Sequence, residues 1–165
     1  MTDLDAFIEN LQEQIDNEAR QAYGEKGFER WRNPRFQGRM EKPDAVARVT
    51  GSCGDTMEMY LRFEGDRVAE ASYFTDGCAS SSICGSFAAE LAIGMDPDTL
   101  ADIDGDAVLR KIGRLPEQEL HCADLAAAAL QEALSSYMKR HTKPFHFPRG
   151  SATHHRTPGF SQERE

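Results

Sequence analysis

The sequence predicts an α+β domain in which three antiparallel strands form one sheet and helices pack on it. Three observations predict this class: a helical repeat opens the chain, three short strand-like segments follow, and helical repeats occupy the rest. The 165 residues correspond to about one domain, and 39% of them are hydrophobic, which is enough to bury a core. No apolar run approaches the roughly 18 residues that a membrane helix needs.

The first predicted element is an amphipathic helix. Apolar residues recur there at helical spacing: Leu4, Phe7, Ile8, Leu11, Ile15, Ala19 and Ala22. Gly24 and Gly27 are expected to end this helix, and Pro34 prevents helical continuation further on.

Three strands are predicted next, the first from Ala45 to Thr50. The second runs from Thr56 to Phe63, where apolar and polar residues alternate with the period of a strand. Glu64-Gly65-Asp66 then forms a hairpin turn into the third strand, Arg67 to Thr75, whose two faces cannot be ranked by hydrophobicity. The three segments predict a meander.

Helices are predicted for the remainder of the domain. Asp96 resembles an N-cap because Pro97 follows it, and Gly113 is a typical helix end. The predicted helices are Ser80 to Ile93, a short one from Asp96-Pro97, Asp106 to Ile112, and His121 to Arg140.

Composition divides the chain into residues 1–27, a helical extension; 28–140, the main domain; and 141–165, a flexible tail rich in proline and histidine and poor in apolar residues. The acidic, polar start differs from a targeting segment, so we expect a cytoplasmic protein. The net charge of −9 argues against a nucleic-acid surface, and no membrane partner is expected.

Three cysteine segments lie at predicted junctions between elements. Cys53 and Asp55 flank a glycine in the turn between the first two strands, Cys78 lies between the third strand and a helix, and His121-Cys122 opens the last helix. Because these junctions meet at one edge of a meander, we expect the five side chains to converge. Helix N-termini lower the pKa of thiols, so Cys78 and Cys122 are predicted to favour the thiolate.

These five residues predict a metal or cluster site. Soft thiolates select zinc, Cu(I) or iron–sulfur clusters, whereas the carboxylate of Asp55 is a harder and more exchangeable ligand. The paired C-x-x-C knuckles of a structural zinc finger do not occur in the sequence. A weaker fourth ligand suits a cluster that must leave. Cys84 is interpreted as a core residue, because its neighbours Ile83 and Phe87 are apolar.

The ordered motifs resemble the IscU/NifU-type iron–sulfur cluster assembly scaffold. The resemblance covers about residues 28–140 and rests on Asn33-Pro34-Arg35, on C-G-D from Cys53, on D-G-C-A-S-S-S-I-C-G-S from Asp76, and on L-P-x-x-x-L-H-C from Leu115. One C-G-D alone would carry little weight, but three ordered cysteine motifs are specific.

The resemblance implies an α+β sandwich that assembles a transient [2Fe–2S] cluster from iron and desulfurase-derived sulfur and transfers it to apo-proteins. It implies a scaffold and sulfur acceptor, not an enzyme, with Cys53, Cys78 and Cys122 as thiolate ligands. It also implies that Cys122 accepts the persulfide, that Asp55 aids cluster release, and that His121 is an alternate fourth ligand. Zinc is expected at the same place in the isolated protein.

Two alternatives and one departure accompany the resemblance. The charge reversal at Glu119, where the family carries lysine in its chaperone motif, argues against dependence on a chaperone pair. A zinc-dependent sulfur-acceptor partner of a cysteine desulfurase, of the SufU type, is the first alternative. Its long insertion between the second and third cysteines and its lack of the histidine do not match His121 or the spacing of Cys78 and Cys122. A structural zinc protein is the second alternative.

Overall fold

The computed structural model describes residues 2–141. The predicted flexible tail, apart from His141, lies outside the described residues. In chain order the elements are α1 (Asp3–Arg32), β1 (Ala45–Thr50), β2 (Thr56–Glu64), β3 (Arg67–Thr75), α2 (Ala79–Ala92), α3 (Pro97–Ala101), α4 (Gly105–Ile112), a 3₁₀ turn (Glu117–Glu119) and α5 (His121–His141). No helix among residues 2–141 is long and apolar enough to cross a membrane.

The three strands form the predicted antiparallel sheet in the order β1-β2-β3. Thr50 pairs with Thr56 across the β1–β2 turn, and Glu64 pairs with Arg67 across the hairpin. A bulge between Arg62 and Phe63 shifts the register of β3, so that Val68 and Ala71 are both buried although they lie three residues apart. This bulge is why hydrophobic alternation could not rank the faces of β3.

One face of the sheet carries the core. Helix α5 lies along β1 and β2, α2 lies along β3, and the two helices pack on each other with α4 behind them. The opposite face is partly covered by the segment before β1, from which Arg39 donates two hydrogen bonds to Glu58, at 2.8 and 3.1 Å. Asp44, just before β1, accepts a hydrogen bond from the amide of Phe63. The largest fully buried side chains include Met57, Met59, Leu61, Tyr73, Ile83, Leu100, Ile112 and Leu130.

Helix α1 differs from the prediction. Gly24 interrupts the helix with φ 68° and ψ 177°, but the helix resumes and ends at Arg32, just before Pro34. Gly27 does not end it: Gly27 is buried in the part of α1 after the bend, residues 25–32 (the second arm), where a Cβ would lie 2.8 Å from that of Tyr23. The glycine therefore serves close packing at this position, a role that sequence alone does not separate from helix termination.

The predicted caps Asp96 and Gly113 are confirmed, and Asp104 caps α4 two residues before its predicted start at Asp106. Asp96 and Asp104 accept hydrogen bonds from backbone amides in the first turns of α3 and α4, and Gly113 ends α4 with φ 95°. Cys78 is the N-cap residue of α2 but makes no capping hydrogen bond with its own side chain. The start of α2 is therefore open to a cap from elsewhere in the fold.

Candidate metal centre

Three junctions meet at one end of the molecule, as the meander predicts. They are the β1–β2 turn, the step from β3 into α2, and the first turn of α5. Their side chains bring Asp55, Cys78 and Cys122 together, with ligand atoms within 4.8 Å of one another. Two sulfurs and one carboxylate oxygen at this spacing can hold a metal ion or the edge of a small cluster.

The β1–β2 turn is held by its own backbone. The amide of Gly51 donates to the carbonyl of Asp55 at 2.9 Å, and the amide of Gly54 donates to the carbonyl of Gly51 at 3.0 Å. Gly54 has φ 88°, a conformation that residues with a Cβ adopt only with strain. The glycine between Cys53 and Asp55 thus allows the tight turn that carries both side chains to the edge of the sheet.

Asp55 supplies the missing cap of α2. Its Oδ2 accepts a hydrogen bond from the Ser81 hydroxyl at 2.7 Å and one from the amide of Cys78 at 3.3 Å. The hydrogen bond from Ser81 is the main cause that lowers the pKa of Asp55, and the hydrogen bond from Cys78 lowers it further. The carboxylate is therefore ionised at neutral pH and lies at the positive end of a helix, beside two thiols.

Gly77 permits this close approach. A Cβ at this position would lie 2.3 Å from Oδ2 of Asp55 and 2.8 Å from Cβ of Ser81. Real side chains do not approach so closely, so any larger residue here would displace Asp55 or the start of α2. A glycine is therefore required at position 77, before Cys78, for steric reasons.

Comparison with known proteins assigns the chain to a family. The profile of the NifU-like N terminal domain matches residues 22–144. The chain belongs to this family. It is 36% identical over 122 residues to the iron-sulfur cluster assembly scaffold protein IscU 1 of Archaeoglobus fulgidus, over 73% of this chain and 80% of the relative. It is 31% identical over 127 residues to the iron-sulfur cluster assembly enzyme IscU of Drosophila melanogaster, over 73% of this chain and 81% of the relative.

Solved structures share the fold of this NifU-like domain. A nitrogen-fixing NifU-like protein (N-terminal) from Brucella abortus superposes with a TM-score of 0.56 at 22% identity, covering 73% of this chain and 97% of the other. A putative iron-sulfur cluster assembly scaffold protein for the SUF system from Fervidobacterium islandicum has the same TM-score at 21% identity, covering 70% of this chain and 98% of the other. The predicted α+β architecture is confirmed.

The NifU-like site differs from the prediction at Cys122. We expected the helix N-terminus to lower the pKa of this thiol, but Cys122 is fully buried and its pKa is raised to about 11. Burial is the main cause, opposed by a hydrogen bond from Ser81, while Cys78 and Cys53 raise the pKa further. The described state therefore holds Cys122 as a thiol, because desolvation outweighs the helix dipole.

Cys53 and His121 lie beside the group formed by Asp55, Cys78 and Cys122, not within it. Cys53 is exposed in the turn, and His121 is half-buried with Nε2 3.7 Å from Sγ of Cys122. Cys84 is fully buried in the core, where burial raises the pKa of its thiol well above the ordinary value. Four of the five predicted residues therefore present side chains at the surface or at its margin, around the buried Cys122.

Sequence reasoning missed Ser81. Its hydroxyl lies 2.7 Å from Oδ2 of Asp55, 3.5 Å from Sγ of Cys122 and 3.8 Å from Sγ of Cys78. Ser81 therefore joins all three members of the group. The run of three serines after Cys78 is the only sequence signal that marks it.

A second polar contact closes the site on the α1 side. The Ser80 hydroxyl donates a hydrogen bond to Glu119, the position where the resemblance led us to expect lysine. Tyr23 of α1 reaches the same place: its pKa is raised mainly by burial, a contact with Ser80 opposes the rise, and the negative charge of Glu119 adds to it. Glu119 thus has a hydrogen-bond partner within this chain, the Ser80 hydroxyl at the start of α2.

Proposed function

We propose that this chain is a scaffold for iron–sulfur cluster assembly. On it a transient [2Fe–2S] cluster is built from iron and desulfurase-derived sulfur and is then transferred to apo-proteins. The observation that carries the proposal is the group of Asp55, Cys78 and Cys122 within 4.8 Å, in a chain of the NifU-like family. Cys53 completes the set of three thiolates from the exposed turn. The cluster is cargo in this proposal, not a resident cofactor.

The arrangement supports a site that both binds and releases. Thiolate ligands bind iron strongly, whereas a carboxylate is a poorer partner for iron in a sulfide cluster and exchanges readily with water. Asp55 already has neutral hydrogen-bond partners in Ser81 and Cys78 to which it returns when it leaves iron. His121, next to Cys122, is the alternate fourth ligand.

Sulfur entry is assigned to Cys122. The thiolate of Cys122 attacks the terminal sulfur of the desulfurase persulfide, a new S–S bond forms on Cys122, and the desulfurase cysteine leaves as a thiolate. Because the pKa of Cys122 is raised to about 11, its proton must first be accepted by a neighbour, and His121 is placed to accept it. Burial of Cys122 further requires that the α5 end opens when the desulfurase binds.

Anaerobic reconstitution tests the scaffold function. Protein given Fe²⁺, cysteine and a desulfurase is expected to develop the visible absorption of a [2Fe–2S] cluster, and Cys53→Ser, Cys78→Ser and Cys122→Ser each greatly reduce it. Cys84→Ala is the matched control, since that thiol lies in the core and outside the ligand group. Normal clusters in two of the three site variants would contradict the ligand assignment.

Mass spectrometry tests the entry point. After reaction with the desulfurase in the absence of iron, the added sulfur is expected first on Cys122. Sulfur found mainly on the exposed Cys53 or Cys78 would overturn this assignment and make accessibility, rather than the neighbouring histidine, the deciding factor.

Zinc binding separates the scaffold from a zinc-dependent sulfur acceptor. The same two thiols and carboxylate also suit zinc, so we expect the isolated protein to carry it. In the scaffold reading, zinc is displaced during reconstitution and the cluster absorption appears. Zinc retained at full occupancy, with sulfur accepted but no cluster formed, would favour the acceptor function.

A further inference from the structure

The first arm of α1, before the bend at Gly24, carries exposed apolar residues on one side of its N-terminal part. Within residues 3–15 five large side chains are 42 to 65% exposed. Spacings of three and four residues place them on the same side of the helix, and we call them the arm stripe: Leu4, Phe7, Ile8, Leu11 and Ile15. A contiguous apolar stripe of this kind marks an interaction surface, and a helix of this length is marginal in water unless something packs on it.

The stripe is exposed because α1 folds back on itself. Arg32 Nη1 lies 3.2 Å from Oδ1 of Asp16, although a straight helix would separate these residues by about 24 Å. The Arg20 guanidinium also lies 4.0 Å from the centre of the Phe28 ring. These pairs are symmetrical about Gly24, so the short second arm, residues 25–32, covers only residues 16–23. Residues 3–15 extend beyond it.

This overhang lies at the end of the molecule opposite the cysteines. The second arm runs beside α2, because Tyr23 is near Ser80 at the start of α2, and Arg30 donates hydrogen bonds to Ser86 and Glu90 further along. The first arm runs the other way and passes Arg32. Its stripe is therefore remote from the candidate metal centre.

Helix α5 ends on the same side. The ring of Tyr137 stacks on Phe63 with 3.8 Å between centroids, close to the β2–β3 hairpin, and α5 ends at His141. Residues 142–165 follow from this end of the molecule. Fully extended, these 24 residues span up to about 80 Å, which is far more than the width of the domain.

The two terminal segments have opposite charge. Residues 3–18 contain six Asp or Glu and no Lys or Arg. Residues 142–165 contain three phenylalanines and have a net charge of +2, from four Lys or Arg and two Glu, and both glutamates lie in the last three residues. A second copy of α1 would bring like charges together on the stripe, which is unfavourable. Charge complementarity therefore favours a basic, aromatic occupant.

We propose that the chain's own C-terminal segment, residues 142–165, docks on the arm stripe. Phe145, Phe147 and Phe160 supply apolar anchors, and the basic residues between them face the acidic flanks of α1. Covalent connection gives this occupant a high effective concentration, so even a weak contact is populated. Nearly all of both segments lies outside the matched family region, residues 22–144, and the contact is thus an addition to the common domain.

Hydrogen exchange of the intact chain tests this docking. Amides of residues 3–15 are expected to exchange at least about tenfold more slowly in the wild type than in the variant Phe145→Ser/Phe147→Ser/Phe160→Ser. Thr142→Ala/Thr153→Ala/Thr157→Ala is the matched control, since it changes three positions in the same segment and keeps every phenylalanine and basic residue. Amides of α5 in the core report whether each variant remains folded.

Dilution identifies the occupant. Protection by the chain's own segment is expected to stay constant between protein concentrations about a hundredfold apart, because the contact is intramolecular. Loss of protection on dilution would overturn the proposal and assign the stripe to a second copy. Equal exchange in the wild type and the phenylalanine variant would overturn it as well.

Discussion

Asp55 and Glu58 lie three residues apart at the same end of β2, but their neighbours hold the two carboxylates in different ways. Glu58 accepts two hydrogen bonds from Arg39 and one from Tyr60, and the Arg39 contact is the main cause that lowers its pKa to about 2. Among the described residues no lysine or arginine forms an ion pair with Asp55, whose partners are a hydroxyl and an amide.

The difference teaches which carboxylate can act on a metal. The charge of Glu58 is neutralised by arginine, so it fastens the segment before β1 to the sheet. The charge of Asp55 is held by neutral donors beside two thiols and remains available to a cation. Each prediction below alters one side of this comparison.

The largest effect is expected from Gly77→Ala. The added Cβ would occupy the position of the Asp55 carboxylate, so cluster yield on reconstitution is expected to fall at least about tenfold. Gly65→Ala is the control: it costs about 1 kcal/mol, since Gly65 has φ 59°, but it lies in the hairpin at the opposite end of the sheet. Normal cluster yield in Gly77→Ala would show that the Asp55 position is not needed.

A smaller effect is expected from Ser81→Ala. Loss of the hydroxyl removes the main cause that lowers the pKa of Asp55, and the carboxylate loses its closest partner. Cluster yield is expected to fall severalfold at pH 7, with a larger deficit at lower pH as Asp55 becomes protonated. Ser82→Ala, which removes a hydroxyl that contacts Tyr73 instead, should leave the pH profile of assembly unchanged.

The effect of Arg39→Ala is expected on stability alone. Because Glu58 has a lowered pKa in the folded protein, the contact stabilises above about pH 4.5, the ordinary pKa of a glutamate, and is lost as the pH falls towards 2. The variant should have a lower free energy of unfolding at pH 7, by a modest amount because Arg39 is exposed and its charge is screened by water, and this deficit should shrink in acid. Denaturant unfolding across pH measures it. A deficit independent of pH, or a loss of cluster assembly, would break the comparison.

Sequence patterns predicted the sheet well because local signals and tertiary packing agree there. Alternation in β2 and the Gly65 turn gave strand boundaries within one residue of those observed. The course of α1 could not be predicted, since Gly24 and Gly27 look alike in sequence. One adopts a positive φ at the bend, and the other is buried against Tyr23 in a contact that depends on the fold.

In the candidate site, too, local sequence signals predicted some features, and others depend on contacts that only the fold creates. Motif spacing predicted that the Cys53–Asp55 turn, Cys78 and Cys122 converge. It could not predict the steric role of Gly77 or the central position of Ser81, because both depend on distances across elements. The pKa of Cys122 was predicted in the wrong direction, since the rule for helix N-termini holds for accessible thiols and this one is buried.

Transfer of the assembled cluster to an apo-ferredoxin tests the central claim, that Asp55 is the exchangeable ligand. Asp55→Asn retains an acceptor for the Ser81 hydroxyl and the Cys78 amide but removes the charge, and Glu58→Gln makes the same change at the arginine-bound carboxylate. At matched cluster occupancy, Asp55→Asn is expected to hold its cluster longer and to transfer it about tenfold more slowly, because the readily exchanged carboxylate ligand is lost. Glu58→Gln is expected to transfer at the wild-type rate. Equal transfer rates for Asp55→Asn and the wild type would contradict the account.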